Sequence, residues 1–316
     1  MLIDRIKESI WLSIILASKP RFWKSKSKSV FGKFWMIIGI LFTIIKMLEY
    51  FSVIPDPLPI KNSIFFLLLI GLALVVAIIW SRPRLKLSSQ INGKDMKISL
   101  QIGNILLRAG DVVVATNSTF DTTYEGDFIS RKSLQAQLVK KEYSALEHIN
   151  YDLEKSLEGM PYKELPNRRT KTKRYPIGTI AKLNHSSERR SYWVALADVN
   201  ERGKPIIETD NLYVALQELW SFLATNGHMT DLYIPLLGSG LTGIDLPREQ
   251  IAKDIIFSFV NFSNSTKILN SLTICFHPKD VIDYKMDVTD IHDYLNYLCR
   301  FGSVGASVET KSIGLN

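Results

Sequence analysis

The stretch "DLYIPLLGSGLTGIDL" (231–246) joins an apolar run to three glycines spaced G-x-G-x-x-G, and a charged helical segment follows. Strand, glycine loop and helix in this order bind phosphates, because glycine lets backbone N–H groups approach an anion closely. A Walker loop would have lysine and a hydroxyl residue next, but Ile244 and Asp245 stand there. A dinucleotide fingerprint would follow the first strand of its unit, whereas several predicted strands precede this loop. The loop therefore predicts a phosphate site of another class.

The composition points to a globular chain with an unusually apolar beginning. The 316 residues carry a net charge of +8, and most of the apolar excess lies before residue 80. Cys275 and Cys299 are too few for a disulfide framework and lack the spacing of metal ligands. We therefore expect free thiols in a reducing compartment, and neither a metal nor a cofactor.

Two apolar segments predict a transmembrane helical hairpin. Residues 62–80 contain no charge from Ile64 onward, and about twenty apolar residues span a bilayer core. Residues 34–54 are similar in length, and their Lys46 and Glu49 either snorkel to the interface or pack against neighbours in an assembled bundle. A prolyl turn separates the two segments, and a cleaved signal peptide would have neither two copies nor so late a start.

The flanks of the hairpin predict its orientation. Residues 1–33 form an amphipathic and then basic segment, and basic residues also follow the second span, so both termini should be cytoplasmic. The apolar face of residues 2–17 lies on the membrane surface or packs in an oligomer, and the sequence leaves both open. Residues 81–96 are interpreted as a linker.

The remaining residues, 97–316, predict an α/β domain. Residues 97–103 and "DVVVATN" (111–117) are typical of strands, whereas 129–159 and "REQIAKDIIFSFVNFS" (248–263) have helical spacing. The alternation predicts a mixed, mainly parallel sheet sandwiched by helices, with its ligand site at the carboxyl ends of the strands.

A basic run lies between these elements at 166–176, "PNRRTKTKRYP". Such a run is a solvated loop, or it attracts a phosphate-rich ligand or an anionic membrane surface. Aromatic residues are scarce around it and no nucleic-acid module is visible, so we expect no nucleic-acid partner.

Four segments together resemble the macro domain, a family of ADP-ribose binders. They are "LQIGNIL", "VVVATNS", "YEGDF" and "IPLLGSGLTGI", and the resemblance covers about two thirds of the chain. It implies that the side-chain oxygen of Asn104 accepts from the adenine amino group and that Asn117 approaches the distal ribose. The ligand-binding residues it implies are Asn104, Ile105, Asn117, Gly126, Asp127, Leu237, Gly238, Ser239, Gly240, Leu241, Thr242, Gly243 and Ile244.

One departure from that family bears on catalysis. The first loop of active macro hydrolases is rich in glycine, whereas this chain offers Gly126 alone between two acids. We therefore expect binding without turnover and no catalytic residues. The alternatives are a membrane-tethered ADP-ribosyl hydrolase and a nucleotide-binding scaffold that recruits a partner to the membrane.

A macro domain behind a two-span anchor is similar to the membrane-anchored effectors of type II Thoeris antiphage defence. That resemblance implies a location in the bacterial inner membrane and a signal made by a TIR-domain protein, histidine-ADP-ribose. It also implies that the ligand-bound effector forms a homo-oligomer and disrupts the bilayer, which causes abortive infection.

Overall fold

The computed structural model describes residues 2–18, 20–51, 63–81, 84–123, 129–165, 171–186, 189–200, 205–240, 243–264 and 266–309. The chain forms two compact units that divide between residues 85 and 86.

The N-terminal unit is helical. It contains α1 (Leu2–Ser18), α2 (Pro20–Tyr50) and α3 (Ser63–Trp80). Helices α2 and α3 pack against each other, and the Lys33 ammonium donates to the Trp80 carbonyl oxygen over 3.3 Å.

Within the described residues of this unit, one segment is long and apolar enough to cross a membrane. This segment is Val30–Leu48 of α2, whereas the apolar stretch Leu67–Trp80 of α3 is shorter. The prolyl turn lies outside the described residues, so the two-span hairpin stays a prediction.

Helix α1 has two different apolar faces. Leu12 and Leu16 are buried, whereas isoleucines at helical spacing are exposed, namely Ile3, Ile6, Ile10 and Ile14. The exposed face keeps open the two interpretations of the first segment, which are the membrane surface and an oligomer contact.

The C-terminal unit contains a large sheet and a small β-hairpin. The large sheet is formed by β1 (Lys86–Gln90), β2 (Lys97–Ile102), β3 (Asp111–Asn117), β6 (Ile180–Ser186), β7 (Arg189–Val199), β8 (Pro205–Ile206), β9 (Asp231–Pro235) and β10 (Ser271–Phe276). The hairpin is formed by β4 (Lys163–Glu164) and β5 (Lys173–Arg174).

The strand order confirms the predicted mixed, mainly parallel sheet. The order is β1-β2-β10-β9-β3-β7-β6, and β8 pairs with β7. Strands β2, β10, β9, β3 and β7 run parallel, whereas β1, β6 and β8 are antiparallel to their partners. The three valines of β3 are fully buried, as is typical of a central parallel strand, and Val112 and Val114 pack in the same core as Trp193 of β7.

Helices flank this sheet. They are α4 (Leu134–Glu142), α5 (Leu146–Ser156), α6 (Thr209–Asn226), α7 (Arg248–Ser263), α8 (Pro278–Ile282) and α9 (Val288–Glu309). The single helix predicted over 129–159 is wrong, because Tyr143 adopts an extended conformation, with φ −124 and ψ 136. Its hydroxyl donates to the Asp152 carboxylate over 3.0 Å, which ties the end of α4 to α5.

Strand β1 lies inside the segment that was interpreted as a linker. It pairs along its full length with β2, from Lys86 opposite Gln101 to Gln90 opposite Lys97. The sheet of the C-terminal unit therefore begins at Lys86.

Candidate functional site

A cavity of ≈ 870 Å³ opens at the carboxyl ends of the parallel strands. Asn117 at the end of β3, Ala197 in β7, Pro235 at the end of β9 and Cys275 in β10 line it. This is the edge where the sequence places the site, since strand-end crevices hold the ligands of parallel α/β sheets. The volume lies within the range of roughly 300–1,000 Å³ that is usual for small-molecule sites.

The glycine loop after β9 forms one wall of this cavity. Gly238 has φ +74, a left-handed conformation that glycine adopts without strain. A Cβ on Gly238 would lie 2.4 Å from Cδ1 of Ile244, so a side chain does not fit there. The Ile244 N–H donates to the Gly238 carbonyl oxygen over 2.8 Å and closes the loop.

The other two glycines of the loop have different surroundings. Gly240 lines the cavity, and a Cβ built there meets no atom within 4 Å. A Cβ on Gly243 would lie 3.0 Å from the Gly240 carbonyl oxygen. Gly240 therefore faces open space, whereas a side chain at Gly243 would require the Gly240 carbonyl group to shift by a few tenths of an ångström.

Arg248 holds the glycine loop from behind. It is the first residue of α7, and its Nη2 donates to the Ser239 carbonyl oxygen over 2.9 Å. Its Nε donates to the Asp280 carboxylate over 2.8 Å. Sequence reasoning missed this residue, and its position at the start of a predicted helix gives no signal of these contacts.

Asn104 lines the cavity as a cap of a short 3₁₀ turn. Its side-chain oxygen accepts from the Leu106 N–H over 2.9 Å, which fixes the turn Ile105–Leu107. The resemblance implies that the same oxygen accepts from the adenine amino group. An amide oxygen has two lone pairs, so the contact with Leu106 leaves that expectation untested.

Asn117 is buried and organises the chain after β3. Its side-chain oxygen accepts from the Asp121 N–H over 3.0 Å, and its Nδ2 donates to the Asp121 carboxylate over 2.7 Å. The Thr119 hydroxyl donates to the same carboxylate over 2.8 Å. The side chain of Asn117 therefore orders this turn, and its approach to a ribose stays a prediction.

Lys171 also supports the turn that follows β3. Its ammonium donates over 2.8 Å to the carbonyl oxygen of Phe120, a buried residue with φ +50. Burial lowers the pKa of Lys171 to about 8, and the negative charge of Asp121 opposes that shift.

Stability should therefore rise with pH in the range where Lys171 titrates. The folded-state pKa of about 8 lies below the ordinary value of 10.5, so the unfolded chain binds more protons between these values. The penalty for burying the ammonium is complete below about pH 8 and decreases as the pH rises towards 10. We expect the melting temperature to rise by several degrees over this interval, which corresponds to a gain of roughly 1–2 kcal/mol in the free energy of unfolding. The Lys171→Met chain should lack the rise, and an equal rise in that variant would contradict the assignment.

The structure brings seven of the thirteen predicted binding residues to this one cavity. They are Asn104, Ile105, Asn117, Leu237, Gly238, Ser239 and Gly240. Gly243 and Ile244 do not line it; Ile244 is instead buried against Gly238. Gly126, Asp127, Leu241 and Thr242 lie outside the described residues. Whether any of the thirteen binds a ligand stays a prediction.

The start of α4 contributes a wall that sequence reasoning missed. Arg131, Lys132 and Gln135 line the cavity, and Gln135 Nε2 donates to the Asp121 carbonyl oxygen over 2.6 Å. These residues follow Gly126 and Asp127, which the resemblance implies bind the ligand, and their basic pair is the signal that could have found them.

The thiols and carboxylates form no visible metal centre. In the described ranges, no group of three or more His, Cys, Asp or Glu side chains could hold a metal ion. Cys275 and Cys299 are both buried and neither forms a disulfide, and burial raises the pKa of the Cys299 thiol to about 11. Two buried thiols without a disulfide agree with the expectation from the sequence.

The C-terminal unit has a mainly parallel mixed sheet flanked by helices, with a glycine loop beside a cavity at its strand ends, an arrangement that is typical of a macro domain. Residues 98–277 match the family model described as "Thoeris protein ThsA, Macro domain". The chain therefore belongs to the ThsA macro domain family of Thoeris antiviral defence.

A curated relative and several solved structures are similar to this chain. The Thoeris protein ThsA of Bacillus amyloliquefaciens (strain Y2) is 27% identical over 188 residues, which are 57% of this chain and 61% of the relative. The Oceanobacillus iheyensis macrodomain with MES bound is 13% identical, covers 67% of this chain and 97% of its own, and has a TM-score of 0.46. The Trypanosoma brucei macrodomain in complex with ADP-ribose is 11% identical, covers 63% and 68%, and has a TM-score of 0.36.

Proposed function

We propose that this chain is a membrane-anchored antiphage effector whose macro domain senses an ADP-ribose-derived signal. The signal is histidine-ADP-ribose, made by a TIR-domain protein. Its binding drives a homo-oligomer that disrupts the bacterial inner membrane and causes abortive infection. The chain acts as a receptor and not as an enzyme.

The observation that carries the ligand part of this proposal is the cavity with Gly240 on its wall. A ligand with two phosphates needs backbone N–H donors that it can approach without meeting a side chain. Gly240 leaves that space open, and the loop around it is closed by the bond between Ile244 and Gly238. The basic pair Arg131 and Lys132 on the α4 wall adds positive charge for an anionic ligand.

The membrane part is supported by the N-terminal unit. The span Val30–Leu48 is not buried inside the chain. Apolar side chains of α3 are also exposed, among them Leu67, Leu68 and Leu72. We propose that α2 and α3 both cross the inner membrane. Basic flanks then keep the N-terminal segment and the macro domain in the cytoplasm.

The ligand acts as a switch only through a difference in affinity. A signal molecule shifts the population towards the oligomer if it binds that state more tightly than the resting state. A shift from 1% to 99% assembled requires a preference of about 10⁴-fold. A diphosphate that engages several backbone donors in only one arrangement of the loop would supply such a preference.

The test is a titration of the full-length chain in detergent. We expect calorimetry to detect binding of ADP-ribose and tighter binding of histidine-ADP-ribose, and light scattering to detect a larger particle with the adduct than without it. The proposal would be contradicted if neither compound bound. An unchanged particle size with binding intact would favour the nucleotide-binding scaffold instead.

The same protein samples test whether the chain is instead an ADP-ribosyl hydrolase. If chromatography detected release of free ADP-ribose from an ADP-ribosylated protein, and Asn117→Ala abolished the release, the chain would be a membrane-tethered hydrolase. The proposal expects the substrate to remain intact. Because Asn117 also orders the turn after β3, the melting temperature of Asn117→Ala must accompany the assay.

A further inference from the structure

The Arg248 side chain joins the glycine loop to two residues in and after α8. Besides its bonds to the Ser239 carbonyl and the Asp280 carboxylate, its guanidinium lies 3.4 Å from the ring centre of Tyr284. Asp280 is itself fixed, because its second oxygen accepts from the His277 N–H over 2.8 Å. The guanidinium is therefore held in one orientation when it donates to the Ser239 carbonyl oxygen.

The bond to Ser239 determines the direction of a donor on the other side of the peptide. The peptide unit is planar and trans, so the Gly240 N–H points away from the Ser239 carbonyl oxygen. Since that oxygen faces Arg248, the Gly240 N–H is directed away from Arg248. Ser239 and Gly240 both line the cavity, and Arg248 is not among the described residues that do.

Two other carbonyl groups of this loop are also engaged. The Leu236 oxygen accepts from the Ser239 hydroxyl over 2.8 Å, and the Gly238 oxygen accepts from Ile244. Carbonyl oxygens repel an anion, so these bonds keep the loop compatible with a phosphate. Without Arg248, the Ser239–Gly240 peptide would be free to rotate, and a rotated peptide presents its oxygen where its N–H had been.

We infer that Arg248 is a positioning residue that keeps the Gly240 N–H available to the phosphates of the ligand. Asp280 and Tyr284 hold the guanidinium in place for this task. The inference rests on the proposed function, because it assumes that the glycine loop binds phosphate.

The test compares variants of the full-length chain in detergent by calorimetry with ADP-ribose. Arg248→Met should weaken binding by roughly tenfold or more, since a charged hydrogen bond is lost and the peptide is released. Arg248→Lys should lie between wild type and Arg248→Met, because one ammonium does not reproduce the planar fork that reaches Ser239 and Asp280 together. Inorganic pyrophosphate, used as a competitor, should lose affinity by a similar factor in Arg248→Met.

Lys253→Met is the matched control. Lys253 lies on the same helix and forms a 2.7 Å ion pair with Asp290, so its loss removes a charge and an ion pair without touching the loop. We expect wild-type affinity from this variant. Wild-type affinity in Arg248→Met, or equal losses in both variants, would overturn the inference and leave the proposed function intact. Absence of binding by the wild-type chain would contradict the proposed function and this inference with it.

Discussion

A Gly240→Trp chain is expected to fold normally and to lose both ADP-ribose binding and cellular toxicity. A Cβ on Gly240 meets no atom within 4 Å, and φ at this residue is not in the left-handed region, so the fold accepts the side chain. The indole would instead fill the cavity that the phosphates need. Because this overlap cannot be relieved without moving the loop, affinity should fall by at least roughly a hundredfold. Calorimetry with the full-length chain measures the loss, and thermal unfolding checks the fold.

Two companion variants make this result specific. Gln217→Trp places the same bulk on the exposed face of α6 and should bind normally. Gly238→Ala, unlike Gly240→Trp, should lower the stability of the fold, by about 1–3 kcal/mol. The reason is that Gly238 has φ +74 and that even a methyl group there would collide with Ile244. Normal binding by Gly240→Trp would remove the glycine loop from the site. Toxicity that persists without binding would separate sensing from membrane disruption.

The elements that the sequence predicts best are those with strong local signals. Strand β3 coincides with the run of β-branched residues "DVVVATN", and α7 coincides with "REQIAKDIIFSFVNFS". A continuous β-branched run is favourable in a buried parallel strand, and a helical apolar spacing is favourable on a sheet. The predicted location of the site follows from β9 and α7, because the glycine loop must lie where β9 ends and α7 begins.

The elements that were missed depend on contacts between distant residues. Strand β1 alternates between partly and fully exposed residues, so its identity comes from pairing with β2 and not from its own composition. The helical pattern over 129–159 continues through Tyr143, and the break is accompanied by a contact between residues 9 positions apart, the bond from the Tyr143 hydroxyl to Asp152.

The geometry of the site was equally invisible in the sequence. The glycines indicate a phosphate loop, but the arginine that orients it is separated from Asp280 by 32 positions. Asn117 is predicted as a ligand contact by resemblance, whereas its bonds to the Asp121 backbone and carboxylate depend on the turn that follows β3. Local patterns therefore identify the loops of this site, and tertiary contacts determine how those loops are held.

Asp121→Ala should cause the largest loss of stability and should weaken the ligand site as well. The carboxylate is buried and accepts from Asn117 and Thr119, and its charge favours the ammonium of half-buried Lys171. Removing one partner from a buried charged network costs about 3–5 kcal/mol, because the remaining charge and donors lose their compensation. For a domain of this size, the melting temperature of the full-length chain should fall by roughly 10 °C or more. Affinity for ADP-ribose should fall too, since the turn that holds Asn117 on the cavity wall is released.

Two further variants divide this loss between charge and hydrogen bonding. Asp121→Asn keeps the shape and one acceptor, so it should lose less than Asp121→Ala, and what it does lose reports the missing charge. In the double variant Asp121→Ala with Lys171→Met, the buried ammonium is gone as well, so the loss should be smaller than the sum of the two single losses. A purely additive result would contradict the charge coupling and would assign the effect of Asp121 to the turn around Asn117 alone. Under that outcome, the rise in stability with pH attributed to Lys171 should remain unchanged in Asp121→Ala, which the same thermal scans would detect.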